Sequence, residues 1–491
     1  MVPWTQTGVE AMEKLGTRFL VECEELEGAP SMEDIFHRLA HLPYSCFLDS
    51  SLVMPRLGLY SFIGYRPFLV LLTRGYGWTR IYRDGSRESG RGNPFEVLRE
   101  TLSGYALEGG RPPEGVPPLL GGCMGYLSYE LGRYIERLPG RARDDLGIPE
   151  MCLAFYDQVI SHDHRSGRTF VVGLHPRRPG AVIREVMEDL EGDIPTYSFR
   201  GGGGKVEFRS NFTRERYLEA VRRVKEYIYA GDIYQANLTQ RFQAPIWEHP
   251  WLVYRRLRRF NAAPFAAYFN AVEAQILSSS PELFLRGDGR KVETRPIKGT
   301  RRRSEDPVED ECLKRELLAS DKDRAELSMI VDLERNDLGR VCSYGTVDVE
   351  EHAVIESYAT VHHLVSTVTG ELHPDKDVVD LLKATFPGGS ITGAPKIRAM
   401  EIIDELEPNA RSVYTGCVGY LGYDGSLELN IAIRTVIVKG DRAYFQVGGG
   451  IVADSVPEDE YQETLDKGKA IFQALSSAPS SAPSSAPRDD P

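Results

Sequence analysis

Residues 416–450, GCVGYLGYDGSLELNIAIRTVIVKGDRAYFQVGGG, decide the fold class. Short runs rich in Val, Ile, Tyr and Phe are broken at YDG and KGD, so the stretch reads as a late β region. It closes on three consecutive glycines, which can end a strand and expose backbone N–H groups to a carboxylate. Upstream, the segments alternate in type. FLVLLTRG (68–75), TFVVGLHP (169–176), PFAAYFN (264–270), AQILSSS (274–280) and LFLRG (283–287) read as strands. FEVLRETLSGYAL (95–107) and AVIREVMEDLEG (181–192) read as helices. After GGGGK (201–205), a flexible break in composition, Tyr217, Val221, Val224 and Ile228 recur at helical spacing as far as Gly231. Periodicity therefore predicts a mixed α/β chain, with an N-terminal region over 1–200 and a second domain over 206–475. The SSAP repeats within 476–491 lack large apolar side chains and read as a disordered tail.

Composition narrows the function. A chain of 491 residues, 41% of them apolar, can fill two domains or one large α/β unit. Its net charge of −13 disfavours binding to nucleic acid, which needs positive potential. The basic run RPIKGTRRR (295–303) must therefore be judged locally. Seven scattered cysteines form no C-x-x-C pair, which argues against a disulfide framework or a zinc site. The first residues lack the layout of a secretion signal, and no apolar run approaches the roughly 18 residues of a membrane span. The expectation is a cytoplasmic protein with no membrane partner.

GGCMG (121–125) fits the Gly-x-Cys-x-Gly elbow of a cysteine nucleophile, which needs a histidine base. His162 and His164 offer no evident partner motif, so Cys123 reads as a buried cysteine in a glycine-rich strand. Five other segments carry more chemistry. In SSSPELFLR (278–286), Glu282 sits where a polar turn meets an apolar strand; a carboxyl there can be half-buried and act as a general acid, or simply lie exposed. Lys298 follows sixteen residues later, and a hairpin turning at GDGR (287–290) would bring the possible acid beside a possible amine nucleophile. In SDKDRAELSMIVDLERNDLGRVC (320–342), Asp321 or Ser320 can cap a helix on which Glu326 shares a face with Met329, Ile330 and Leu333. A carboxylate there needs a metal or a salt bridge. TFPGGSITGAPKIRAMEIIDELE (385–407) leads glycines into Pro395 at the first helical position, a helix start suited to anions that buries Ile397, Met400 and Ile403. In the last segment (446–475), Glu460, Glu463 and Lys467 share a helical face. The two acids there read either as a solvated face or as oxygen ligands suited to Mg²⁺.

Taken in order, YQANLTQRF, SSSPELF, RPIKGTRRR, SDKDRAELSMIVDLERNDLGRVC, YATVHHLVSTVTG, PGGSITGAPKIRAMEIIDELE, YTGCVGYLGYDGSLELNIAIRTV and GGGIVADSVPEDEYQET resemble the chorismate-utilising enzymes over 213–470. FLDSS, GLYSFIGYRPF and GGCMGYLSYE resemble the N-terminal region of that family's anthranilate synthase component I branch. The resemblance implies an α/β fold like that of anthranilate synthase component I, with two packed antiparallel β-sheets flanked by helices and built from both chain halves. The anthranilate and isochorismate branches typically read Pro-Ile-Ala-Gly-Thr where this chain has Lys298. Lysine there resembles the aminodeoxychorismate synthase component I branch and implies a nucleophile. Gln235 stands where members that add water generally carry a lysine, which points to ammonia as the incoming group. The resemblance further implies Glu282 as acid and Glu326, Glu463 and Glu460 around Mg²⁺. Tyr414, Arg434, Gly449 and Gly450 should meet the enolpyruvyl carboxylate of chorismate; Lys467 and Ser390 should meet the ring carboxylate, with His363 against the ring. It also implies a separate glutamine amidotransferase subunit as ammonia donor, and tryptophan in the N-terminal region of some relatives. The rival readings are anthranilate synthesis on the same fold and a non-catalytic chorismate- or tryptophan-binding subunit.

Overall fold

Strands from both halves of the chain are shared between two large sheets, one of 13 strands and one of 12. The structure is a computed structural model and describes residues 16–108, 115–175, 180–197, 206–358 and 361–476. The halves meet inside each sheet. In the larger, Phe265–Asn270 pairs with Cys46–Asp49, with Ala267 opposite Leu48. In the smaller, Cys417–Gly422 pairs with Gly122–Leu127, with Gly419 opposite Gly125. The break at 201–205 lies outside the described residues, as does the tail beyond 476. The regions on either side of that break are thus parts of common layers.

Among the described residues the strand pairs are antiparallel, as expected, with one exception. Thr17–Glu25 runs parallel to Tyr105–Leu107 at the edge of the larger sheet. The two strands are far apart in sequence, and Tyr105–Leu107 follows the helix Pro94–Ser103 directly.

Alternation along the strands sets the layers. Val70, Cys152, Ala154 and Tyr156 of the smaller sheet meet Phe62, Phe269 and Ile276 of the larger in a shared core. Their neighbours Leu69, Leu71, Leu153 and Phe155 point the other way and join Phe95, Leu98, Leu327 and Val331 from helices. The helices Met32–Leu39, Pro250–Phe260 and Pro457–Ser476 cover the far face of the larger sheet. Because both faces of each sheet are covered, many strands read as unbroken apolar runs. Cys123 lies fully buried within Gly122–Leu127, and burial raises its thiol pKa, which fits a structural cysteine.

Helix starts follow the side chains. The Thr213 hydroxyl accepts from the Arg216 amide, and Ser320, not Asp321, caps Asp321–Gly339 by accepting from the Asp323 amide. Two expectations need correction at the helix Lys396–Leu406. Pro395 is its N-cap residue rather than its first helical residue. The buried face is Ala399, Met400, Ile402 and Ile403, which leaves Ile397 on the outside, 44% exposed. No helix among the described residues is long and apolar enough to cross a membrane.

Candidate functional site

The predicted hairpin exists. Leu283–Asp288 and Lys291–Arg295 pair with Leu283 opposite Arg295. The turn brings Glu282 back to the start of the next strand, where the Ile297 amide donates to Glu282 Oε1 at 3.4 Å. Glu282 is buried, and its own backbone is held by Ser280 Oγ and by the Ile431 amide. Burial raises its pKa, against the smaller opposing pulls of Ser390, Lys298 and the Ile297 amide. A carboxyl placed this way keeps its proton to a higher pH than an exposed one.

Lys298 lies one residue further, in Ile297–Arg302, opposite Leu364. Register shifts between Lys298 and Thr300, and Gly299 is the extra residue, with φ of +73°. Only glycine suits that bulge, because a Cβ there would come within 2.9 Å of Leu317 and 3.0 Å of Asp323. Lys298 Nζ donates to the Ser390 carbonyl at 3.1 Å. Burial lowers its pKa, even though Glu326 pulls the other way, so the amine is biased toward its neutral, nucleophilic form. The rest of the basic run is structural: Arg301 pairs with Glu316 and Asp323, Arg302 with Glu309, and Arg303 with Asp310.

The glycine run does not end a strand as expected. Arg442–Ile451 continues through it, with Leu238 opposite Gly449 and Asn237 opposite Gly450. The glycines instead make room. A Cβ on Gly450 would lie 1.9 Å from Gln235 Nε2 and 3.4 Å from Lys298 Nζ, so the Gln235 amide is packed against bare backbone beside the amine. Gly450→Ala should leave the fold intact, because only the far end of a flexible side chain must move. It should displace Gln235 and cut turnover by about 100-fold, the cost of a misplacement near 1 Å. Steady-state kinetics beside a thermal melt check this, and native turnover in the variant would sink the packing argument.

Gly449 does the same for two acids. A Cβ there would lie 3.0 Å from Glu460 Oε2 and 3.3 Å from Glu463 Oε1. Glu326 belongs to the same electrostatic cluster, and burial raises its pKa as it does that of Glu460. Burial would raise Glu463 too, but Lys467, paired with it at 2.6 Å, outweighs this and holds its pKa down. Lys467, on the same helical face, is thus a cation already beside the two acids. No three His, Cys, Asp or Glu side chains among the described residues are already gathered into a metal cage. By chemistry the set fits Mg²⁺: three carboxylates, oxygen donors only, with two of them converging over a residue that leaves the space open.

Lys467 and Arg434 lie within electrostatic reach of both His363 and Glu282. Lys467 Nζ donates to the Gly448 carbonyl at 3.0 Å. His363 Nδ1 meets Thr300 Oγ1 at 2.9 Å, Nε2 has no hydrogen-bond partner among the described residues, and burial pushes the pKa down to about 3, so the ring is neutral. Arg434 donates to Asn261 Oδ1 at 3.2 Å and forms no ion pair with a described acid. It sits at φ +49°. With no described acid paired to it, the guanidinium suits an anion from outside the protein. Tyr414 is buried, and no hydrogen bond or charge contact joins it directly to the other predicted residues.

Sequence reasoning missed three participants. Asn261, which orients Arg434, has no local signal. Glu334 is, with Asp337, one of the buried acids of Asp321–Gly339, and its carboxylate accepts from Thr294 Oγ1 at 3.1 Å; Glu326 is only half-buried. Arg411 has no motif of its own. In the N-terminal region, Leu48, Asp49 and Ser50 of FLDSS line a cavity with Pro264–Ala267, at the seam of the two halves to which the tryptophan expectation refers.

Comparison with known proteins gives one family. A model of the family described as chorismate binding enzyme matches residues 73–473. The chain is 45% identical over 412 residues to anthranilate synthase component 1 of Thermus thermophilus, covering 82% of this chain and 88% of that protein. It is 40% identical over 447 residues to aminodeoxychorismate synthase component 1 of Escherichia coli, covering 90% and 96%. The solved structure of anthranilate synthase component I from Streptococcus pneumoniae has a TM-score of 0.74 at 31% identity, covering 86% of this chain and 93% of that one.

Proposed function

We propose that this chain, which belongs to the family of chorismate binding enzymes, aminates chorismate at C4 to give 4-amino-4-deoxychorismate. The observation that carries the reading is Lys298. Its amine stands among the predicted site residues, with a lowered pKa, one residue beyond the amide that binds the buried acid Glu282. The anthranilate- and isochorismate-forming branches, by the family resemblance, typically have alanine there.

In the proposed sequence the neutral Lys298 amine bonds to C2 of the ring, the double bonds shift, and the C4–O bond breaks. Glu282 gives its proton to the departing hydroxyl, which leaves as water. Ammonia then bonds to C4, the electrons shift back, and the C2–N bond breaks to free the Lys298 amine. The new C4 ammonium returns a proton to Glu282, so the site resets with chorismate and ammonia converted to product and water. Arg434 suits a bidentate grip on the enolpyruvyl carboxylate, together with Tyr414, Gly449 and Gly450. Lys467 and Ser390 face the ring carboxylate, His363 lies against the ring as a neutral imidazole, and Gln235 borders the reacting amine. Glu326, Glu463 and Glu460 would hold Mg²⁺, whose charge offsets that of the ring carboxylate. The ammonia donor is proposed to be a separate glutamine amidotransferase subunit.

The 45% identity to an anthranilate synthase component 1 favours a second reading, formation of anthranilate with loss of pyruvate. Mass analysis of the product from chorismate, ammonium and Mg²⁺, with and without a glutaminase partner, separates the two. The expected product retains the enolpyruvyl group. Pyruvate with a fluorescent aromatic product would overturn the proposal.

A further inference from the structure

We infer that Arg411 is a positioning residue that locks the Ser390 loop to the Gln235 strand. Arg411 is 2% exposed and stacks over the Tyr129 ring at 4.9 Å. Part of its guanidinium is spent on an ordinary buried pair: Nε and Nη2 donate to Glu407 at 2.9 and 2.6 Å. Such a pair alone says little about stability or function. The other bonds point to a role. Nη1 donates to the Ile391 carbonyl at 2.9 Å, and Nη2 to the Asn237 carbonyl at 2.6 Å.

Both acceptors are main-chain atoms in segments that carry site residues. Ile391 follows Ser390, whose carbonyl receives Lys298 Nζ. Asn237 lies two residues beyond Gln235 in the same strand, and Glu407 holds that strand again by accepting from the Thr239 amide and hydroxyl, each at 2.9 Å. The Arg411 amide in turn donates to Glu130 Oε1 of the N-terminal region at 2.9 Å. One planar fork therefore fixes the spacing between the carbonyl that aims Lys298 and the strand that carries Gln235. A lysine, with a single ammonium, cannot span both carbonyls and the acid. The inference rests on the reading of Lys298 and Ser390 as parts of the reacting site.

The test uses the full chain with Arg411→Lys, Arg411→Ala and the charge-neutral double variant Arg411→Gln/Glu407→Gln, which leaves no buried acid unpaired. Chorismate consumption is followed whatever the product, so a wrong product assignment and a wrong role for Arg411 give different results. In folded variants kcat should fall about 100-fold. The pH at which the rate rises should shift, because the contact that aims Lys298 has loosened. Ethylguanidinium should restore part of the activity of Arg411→Ala in a saturable way. A folded variant with turnover within about twofold of the parent, or activity lost only in step with the melting temperature, would overturn the inference. So would unfolding of all three variants, which would make the role structural.

Discussion

Replacing Lys298 by alanine is expected to lower chorismate turnover with ammonia by about 10⁴-fold or more, the scale seen when a covalent nucleophile is removed. Binding should suffer far less, since the proposed grips on the two carboxylates come from other residues. The loss should fall on kcat, with a modest change in KM. Lys298→Arg should fail equally, because a guanidinium keeps its proton at any working pH and cannot attack. The pH dependence supplies a second check. The reacting form of Lys298 is neutral, and burial lowers its pKa, so the rate should rise with pH through that lowered value. Unchanged turnover in Lys298→Ala would remove the nucleophile role and with it the main ground for separating this chain from its anthranilate-forming relatives.

Local pattern made much of this legible. The hairpin that joins Glu282 to Lys298 was readable because GDGR is a strong turn signal, and a turn of known length fixes which residues meet. The cap of Asp321–Gly339 was readable to within one residue, with Ser320 one of the two candidates, because a capping side chain reaches only two or three residues on. The two-sheet architecture was not: periodicity gives only mixed α/β, since a sheet covered on both faces hides its alternation. Its prediction came from family resemblance. Distance in sequence hid the rest. Asn261 meets Arg434 across 173 positions, and Arg411 meets Asn237 across 174. The glycine run misled because glycine has two uses. It was taken for its freedom at a strand end, whereas Gly449 and Gly450 serve by lacking a Cβ where Glu460, Glu463 and Gln235 need space. Ile397 misled because the first turn of a helix need not follow the face of the turns after it.

Replacing Glu282 by glutamine should cost between about 10²- and 10⁴-fold in kcat, the usual worth of a positioned general acid. Glutamine keeps the size of the side chain and an oxygen for the Ile297 amide, so the hairpin end should hold and the melting temperature should change little. What it lacks is the proton for the C4 hydroxyl. The sign of the pH effect is opposite to that of Lys298. The active form of Glu282 is protonated, burial raises its pKa, and the rate should fall as pH rises through that raised value. The parent should thus show a bell-shaped profile whose apparent values belong to the coupled pair, because Lys298 and Glu282 each shift the other. Glu282→Gln should lose the falling limb and keep the rising one, whereas a general loss of packing would lower the whole curve without changing its shape. A profile that keeps its falling limb in the variant would assign that limb, and the proton, to another group. The buried Glu334, which lies in the electrostatic reach of Glu282, would be the first to examine.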